Sequence, residues 1–368
     1  WYNMYSSADF SITPRPMYPA DGRKVFDIYT QPFSIRTDIK ADLGEFPFPA
    51  FWGPGAGSSG KFAPDEVSKW IAESAEWVET KYQPGLSLIY LPHLDYNLQR
   101  LGPDHPEIAL DFERIDAIAG KLIQFFDSRN IDILVLSEYG ISKVSNPIHL
   151  NRIFRGEGWI TIKDELGLEL LDAGASKAFA VADHQVAHIY VNDRSLLERV
   201  RDLTRSIPGV EQVLGPAEKA AYGIDHPNAG DLIAISDSHS WFTYYYWLDD
   251  SCAPDFARCV DIHRKPGYDP VELFLDPKIS MPMVKIGLKL LKKKLGFRML
   301  MDVIPLDATL VKGSHGRRPE DKKEYPMVIA SRKEWLQKEQ YESTEVFGLI
   351  QRAVLPGQQA PTQGSLRR

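Results

Sequence analysis

The spacing of apolar positions predicts helices alternating with buried strands in the first half of the chain. Residues 65–82 and 107–130 carry apolar side chains at every third or fourth position, which is typical of helices with one buried face. Residues 86–91 and 131–136 are short, continuous apolar runs, as in strands buried on both faces of a parallel sheet. Together they predict a strand–helix–strand unit with a right-handed crossover.

The pattern changes between residues 153 and 246, where short strands surround a helix predicted at 195–206. We therefore expect an α/β fold: a mostly parallel central sheet with helices on both faces, plus a small α+β insertion. The expected divisions are a parallel-sheet core with a long N-terminal loop region (1–152), the insertion or cap (153–250), a return to the core (251–316) and a disordered tail (317–368).

Composition narrows the class of protein. The chain has 368 residues, of which 43% are hydrophobic, and its net charge of −7 argues against a nucleic-acid polymer as partner. No apolar run reaches the roughly 18 residues of a membrane span. Two cysteines, Cys252 and Cys259, exclude a disulfide framework and favour a reducing, cytoplasmic compartment. The opening at Trp1 has no signal-peptide layout, and we expect a fragment whose N-terminus lies upstream.

Two carboxylates follow the two predicted parallel strands. Asp95 comes after the first strand and Glu138 after the second. The carboxyl ends of such strands form the edge at which open α/β sheets bind ligands, and paired carboxylates suit zinc or a hard divalent cation. The alternative for Asp95 is that it caps the turn or helix that follows.

Four histidines are candidates to join these carboxylates or to bind substrate: His93, His184, His188 and His263. His184 and His188 are four residues apart, which on a helix would form a metal-binding pair. The surrounding sequence is β-rich, however, and in a strand this spacing separates the two by about 13 Å. The alternative is therefore that they satisfy buried turns.

A polar loop at residues 261–269 adds further candidates. Arg264 and Lys265 could bind a phosphate group, and loops this rich in charged residues are common binding loops. The alternative is a surface turn formed by the Pro-Gly pair within it.

Four segments resemble, in order, the motifs of type I phosphodiesterases/nucleotide pyrophosphatases of the alkaline phosphatase superfamily. They are LPHLDYNLQRLGPDHP, ILVLSEYGI, DIHRKPGYDPVELFLDP and KGSHG, over residues 86–316. The chain is further similar to the pyrophosphatase-like branch encoded in Ebo gene clusters. The resemblance implies metal ligation by Asp95, His263 and Glu138. Gln99 and Tyr139 stand where the family has histidine ligands, and Glu138 stands where it has aspartate. No segment matches the family's nucleophile, which is expected upstream of this chain.

The resemblance implies a metal-dependent hydrolase of phosphodiester or pyrophosphate bonds that acts on a small phosphorylated substrate. Its cofactor would be a divalent metal, zinc first, with manganese or magnesium as alternatives. The changes at Gln99 and Tyr139 leave a second hypothesis open, a non-hydrolytic relative that binds a phosphorylated or prenyl-type metabolite.

A basic, apolar segment at residues 285–298 has two interpretations. It could lie on an anionic membrane surface, since lysines and leucines separate onto different faces of a helix predicted at 282–300. The favoured alternative is a helix that packs on the sheet and exposes only its basic face.

Overall fold

The computed structural model describes residues 8–17, 25–55, 63 and 65–355 of the chain. Within them helices and short strands alternate, so the protein is a mixed α/β fold. The α-helices are α1 Ile35–Leu43, α2 Asp65–Tyr82, α3 His93–Leu101, α4 Ile108–Asp127, α5 Leu150–Gly156, α6 Leu197–Ser206, α7 Pro216–Tyr222, α8 Pro282–Lys294 and α9 Val346–Val354. Short 3₁₀ turns connect several of them.

The strands form one four-stranded sheet and five two-stranded ones among the described residues. They are β1 Ser11–Met17, β2 Val25–Gln31, β3 Leu134–Leu136, β4 Ser142–Lys143, β5 Asn146–Ile148, β6 Ile162–Glu165, β7 Leu168–Leu171, β8 Ala178–Asp183, β9 Val186–Val191, β10 Val210–Leu214, β11 Leu232–Ser236, β12 Ser240–Phe242, β13 Gly313–Ser314 and β14 Val328–Ala330. The four-stranded sheet has the order β10-β11-β9-β8 and is antiparallel throughout.

The amphipathic helices form where their periodicity predicts them. Residues 65–82 are helical from end to end as α2, and the helix predicted at 107–130 is α4. Leu122 and Phe126 of α4 pack against Ala72 of α2, because both helices turn their apolar stripes towards each other.

The buried strand predicted at residues 86–91 is wrong. This stretch is irregular, and Leu88 exposes 80% of its side chain. The second predicted strand, at residues 131–136, forms in part as β3. However, β3 pairs antiparallel with β14 instead of lying parallel to a strand at residues 86–91. A strand requires a neighbour that takes up its backbone hydrogen bonds, and no described strand pairs with residues 86–91. The named strands that pair in parallel within the described residues are β5 and β12.

The main core lies in the region predicted as an insertion or cap. Alternate residues of β8 and β9 are buried, and with β11 they pack against Phe154 of α5 and Val200 of α6. A second cluster surrounds residues 241–247, whose aromatic side chains are nearly all inaccessible to solvent. This run is therefore part of the core.

The tail predicted to be disordered is partly ordered. Residues 317–355 contain β14 and α9, and Leu349 of α9 is fully buried. Tertiary pairing with β3 supplies the order that local sequence periodicity does not show. Residues 356–368 lie outside the described residues.

Candidate functional site

Four aromatic rings from four separate loops form a continuous stack, which we call the ring stack. Tyr139 lies on His315 with ring centroids 3.6 Å apart and planes 8° from parallel. His315 lies 3.7 Å from His184, and His184 lies 3.8 Å from Tyr268. Three of the four loops belong to the motifs singled out in the sequence, so the fold brings those motifs together.

The β8–β9 hairpin positions His184. His184 occupies the tight turn between the strands with a φ of 58°, in the left-handed region. Its carbonyl accepts a hydrogen bond of 2.7 Å from the Phe242 backbone, and Gln185 N donates one of 2.8 Å to the His315 carbonyl. These bonds tie the hairpin tip to β12 and to the loop that carries His315.

A close backbone approach positions Tyr268. Gly267 forms a bridge with Ala182 at the end of β8, and Tyr268 N donates to the Ala182 carbonyl at 2.9 Å. A Cβ at Gly267 would lie 2.9 Å from that carbonyl oxygen, and the φ of 143° is one that side chains disfavour. Glycine therefore lets the loop reach the hairpin beneath the ring stack.

A buried ion cluster anchors the same loop. The ammonium of Lys265 lies 2.7 Å from carboxylate oxygens of both Asp269 and Glu272, and all three side chains are buried. Trp52 donates its indole N–H to Glu272 at 2.6 Å. Burial lowers the pKa of Lys265, but the two carboxylates outweigh it and hold that pKa above its usual value. Lys265, a predicted phosphate ligand, is thus placed inside the protein.

Helix α3 supplies the polar groups beside the ring stack. Asp95 and Gln99 are one helical turn apart and face the same side. Tyr139 donates its hydroxyl to Asp95 at 3.2 Å, and Gln99 donates its amide N–H to the Tyr268 hydroxyl at 3.2 Å. Burial raises the pKa of Asp95 to about 6, against the opposing effect of its hydrogen bonds.

Two imidazole nitrogens of the ring stack have no hydrogen-bond partner among the described residues. They are Nδ1 of His184 and Nε2 of His315, both buried. Burial lowers the pKa of His315 to about 4 and that of His184 well below its usual value, so both rings are neutral at pH 7. An unsatisfied buried polar atom costs about 1–3 kcal/mol. A ligand that bonds to these two nitrogens would remove that cost.

The remaining predicted site residues lie elsewhere. His93 is fully buried and contacts Ser68 and the backbone of Asp111. His188 lies in β9, where its Nδ1 accepts from Gly230 N. Arg264 is exposed and pairs with Asp255 at 3.1 Å, and His263 is also exposed.

Among the predicted metal ligands, Asp95 is half-buried on α3, whereas Glu138 and His263 are exposed. In the part of the chain that the structure describes, no three His, Cys, Asp or Glu side chains lie close enough to hold one ion. Asp95 instead bonds to Tyr139. His184 and His315 each keep one imidazole nitrogen without a hydrogen-bond partner among the described residues, and neutral imidazole is a preferred zinc ligand.

The sequence identified part of this site and missed the rest. Asp95, Gln99, Tyr139 and His184 were named from motif positions, but His315 and Tyr268 were not. Both residues lie in recognisable segments of the sequence: His315 is the histidine of KGSHG, and Tyr268 is the tyrosine of the Pro-Gly-Tyr turn. Their role depends on stacking, which has no signal in the linear pattern.

Comparison with known proteins places the chain in a family. The profile of type I phosphodiesterase / nucleotide pyrophosphatase matches residues 1–269, well over half of the chain. The chain belongs to this family. An uncharacterized pyrophosphatase/phosphodiesterase of Schizosaccharomyces pombe is 32% identical over 98 residues, which cover 23% of this chain and 20% of that protein. This family member thus spans about a fifth of the curated relative it matches.

Two solved structures match parts of the chain. Murine ectonucleotide pyrophosphatase / phosphodiesterase 5 is 20% identical, with a TM-score of 0.35, over 47% of this chain and 43% of that one. Phosphonoacetate hydrolase from Sinorhizobium meliloti is 15% identical, with a TM-score of 0.37, over 55% of this chain and 46% of that one. No described helix of this family member is long and apolar enough to cross a bilayer.

Proposed function

We propose that this family member hydrolyses phosphodiester or pyrophosphate bonds in a small phosphorylated substrate, with a divalent metal bound at the ring stack. Zinc is the first candidate, and manganese or magnesium are the alternatives. Family membership supports the reaction class. The observation that carries the location is that His184 and His315, each with a buried, unpartnered imidazole nitrogen, lie next to each other in the ring stack, to which Tyr139 links Asp95.

The chain's own residues have separable roles in this proposal. His184 and His315 would hold the ion, whose charge would stabilise the negative charge on the transferring phosphoryl group. Asp95, fixed by the Tyr139 hydroxyl, adds a carboxylate at the edge of the stack. The pairing of Gln99 with Tyr268 holds α3 against the loop that follows Lys265. None of these residues is assigned as the nucleophile.

The test is hydrolysis of bis(4-nitrophenyl) phosphate by the full-length protein supplied with zinc, manganese or magnesium. The variant Asp95→Asn should lose at least about 100-fold in kcat/KM, because even outer partners of a metal site cost about 10- to 100-fold. Asp116→Asn, at an exposed position on α4, is the matched control and should retain full activity. Absence of hydrolysis with every metal would refute the proposal.

A second function, binding without hydrolysis, is favoured by one feature of the site. The side chain of Gln99 is hydrogen-bonded to Tyr268, and that of Tyr139 is hydrogen-bonded to Asp95. In that case the protein would bind a phosphorylated or prenyl-type metabolite and release it unchanged. The double variant Gln99→His/Tyr139→His distinguishes the two functions: a large gain of hydrolysis favours a retuned enzyme, whereas unchanged substrate binding with no turnover favours the binding protein.

A further inference from the structure

Helix α8 exposes both its apolar and its basic side chains. It has no buried residue along its whole length from Pro282 to Lys294. Leu288, Leu291 and Leu295 expose 59%, 52% and 65% of their surface. The packed alternative expected from the sequence, an apolar face hidden against the sheet, is therefore wrong, because only the partly buried Ile286 of the helix reaches the neighbouring core cluster.

The apolar side chains form a stripe along one side of the helix. Val284, Leu288, Leu291 and Leu295 recur at every third or fourth residue, so they align on one face. The helix ends at Lys294, two residues before Gly296, whose φ is 85°, and Phe297 N donates to the Lys292 carbonyl at 3.0 Å. This turn brings Phe297, which is 65% exposed, to the end of the stripe.

The lysines of α8 fall into two groups with different partners. Lys285 and Lys289 pair with Asp302, and Lys285 also donates to the Asp302 carbonyl at 2.7 Å. These contacts attach the helix to the protein body. Lys292, Lys293 and Lys294 are exposed and make no ion pair with any described residue.

We propose that α8 docks this protein on an anionic membrane surface. The apolar stripe and the lysines without ion pairs fit different layers of a membrane surface. The leucines enter the acyl boundary, and the lysines beside the stripe contact anionic headgroups. Lys292 and Lys294 follow Leu291 at angles on either side of the stripe, which suits side chains that extend towards a headgroup layer. The local positive charge contrasts with the net charge of −7 of the whole chain, so attraction is confined to this face.

The test is co-sedimentation of the full chain with vesicles of phosphatidylcholine alone or with phosphatidylglycerol. We expect binding to the anionic vesicles that weakens as salt is raised. The variant Lys292→Gln/Lys294→Gln should weaken it at least about tenfold. Lys322→Gln/Lys323→Gln removes two other exposed lysines and should change it little. Equal binding to both vesicle types, or equal loss in the two variants, overturns the proposal.

A second pair of variants tests the apolar contribution. Leu291→Gln should reduce vesicle binding several-fold, whereas Leu166→Gln, at a fully exposed turn position, should not. Neither substitution removes a buried contact, and the thermal unfolding midpoint of each should match that of the parent. If light scattering without lipid shows a dimer that Leu291→Gln dissociates, a second copy of the chain covers the stripe and the membrane proposal is wrong.

Discussion

Two regions with similar apolar content behave differently in this protein. In the four-stranded sheet, Ala180, Ile189 and Leu232 are almost completely buried. In residues 86–91 and on the outer side of α4, Leu88 and Phe112 expose 80% and 51% of their surface. The two regions differ in strand pairing. Strand β9 pairs with both β8 and β11, whereas no described strand pairs with residues 86–91. An apolar run gains burial only where the fold supplies a second surface.

The largest expected effect on stability comes from a matched pair of substitutions, one in each of the two regions. Phe154→Ala, within the sheet's core, should lower the free energy of unfolding by about 3–5 kcal/mol. Phe112→Ala, on the exposed side of α4, should change it by less than about 0.5 kcal/mol. Urea unfolding followed by circular dichroism measures both. Similar costs would mean that another surface covers α4 in solution.

The buried ion cluster should be the next most sensitive point. Lys265→Met leaves Asp269 and Glu272 without their cation and should cost about 3 kcal/mol, the lower end for breaking a buried pair, since Trp52 and Asp261 N still donate to Glu272. Burial already raises the pKa of Glu272, so the variant should regain stability as pH falls and the Glu272 carboxyl takes up a proton. Lys278→Met, at an exposed position, is the control. A variant as stable as the parent at pH 8 would contradict this view of the cluster.

A smaller effect on stability should appear at acidic pH in the well-packed region. Burial lowers the pKa of His149 to about 4, and its Nδ1 lies 2.7 Å from the Thr243 hydroxyl. The folded protein binds this proton less readily than the unfolded chain does, whose histidine titrates near pH 6.5. The contribution is therefore present above pH 6.5 and is lost as pH falls towards 4. His149→Gln should flatten stability against pH over that window, whereas His226→Gln, at an exposed residue, should not.

The smallest effect tests the open side of α4 directly. A Cβ at Gly120 would meet no atom within 4 Å. Gly120→Ala should therefore stabilise the protein by about 0.5–1 kcal/mol through helix propensity alone. Gly267→Ala should destabilise it, because the added Cβ approaches the Ala182 carbonyl. Thermal melts of the two variants should shift in opposite directions, and a loss of stability in Gly120→Ala would indicate a packed neighbour at that position.

The sequence predicted the helices better than the sheet. Helix α2 was placed to the residue and α4 within three residues, because a helix shows its period within its own segment. The pairing of β3 with β14 joins residues nearly 200 positions apart, and no local pattern encodes it. The same limit applies to the site. The motifs point to Asp95, Gln99 and Tyr139, and the spacing of two histidines points to His184, but which histidine completes the cluster depends on four loops meeting in space.

The central claim is that His315, and not His263, belongs to the site that binds a metal. The most direct measurement is the metal content of the purified full chain by mass spectrometry after zinc loading and dialysis, for the parent, His315→Ala and His263→Ala. The account predicts bound zinc in the parent and in His263→Ala and its loss in His315→Ala. Zinc retained in His315→Ala but lost in His263→Ala, or no zinc in the parent, would contradict it.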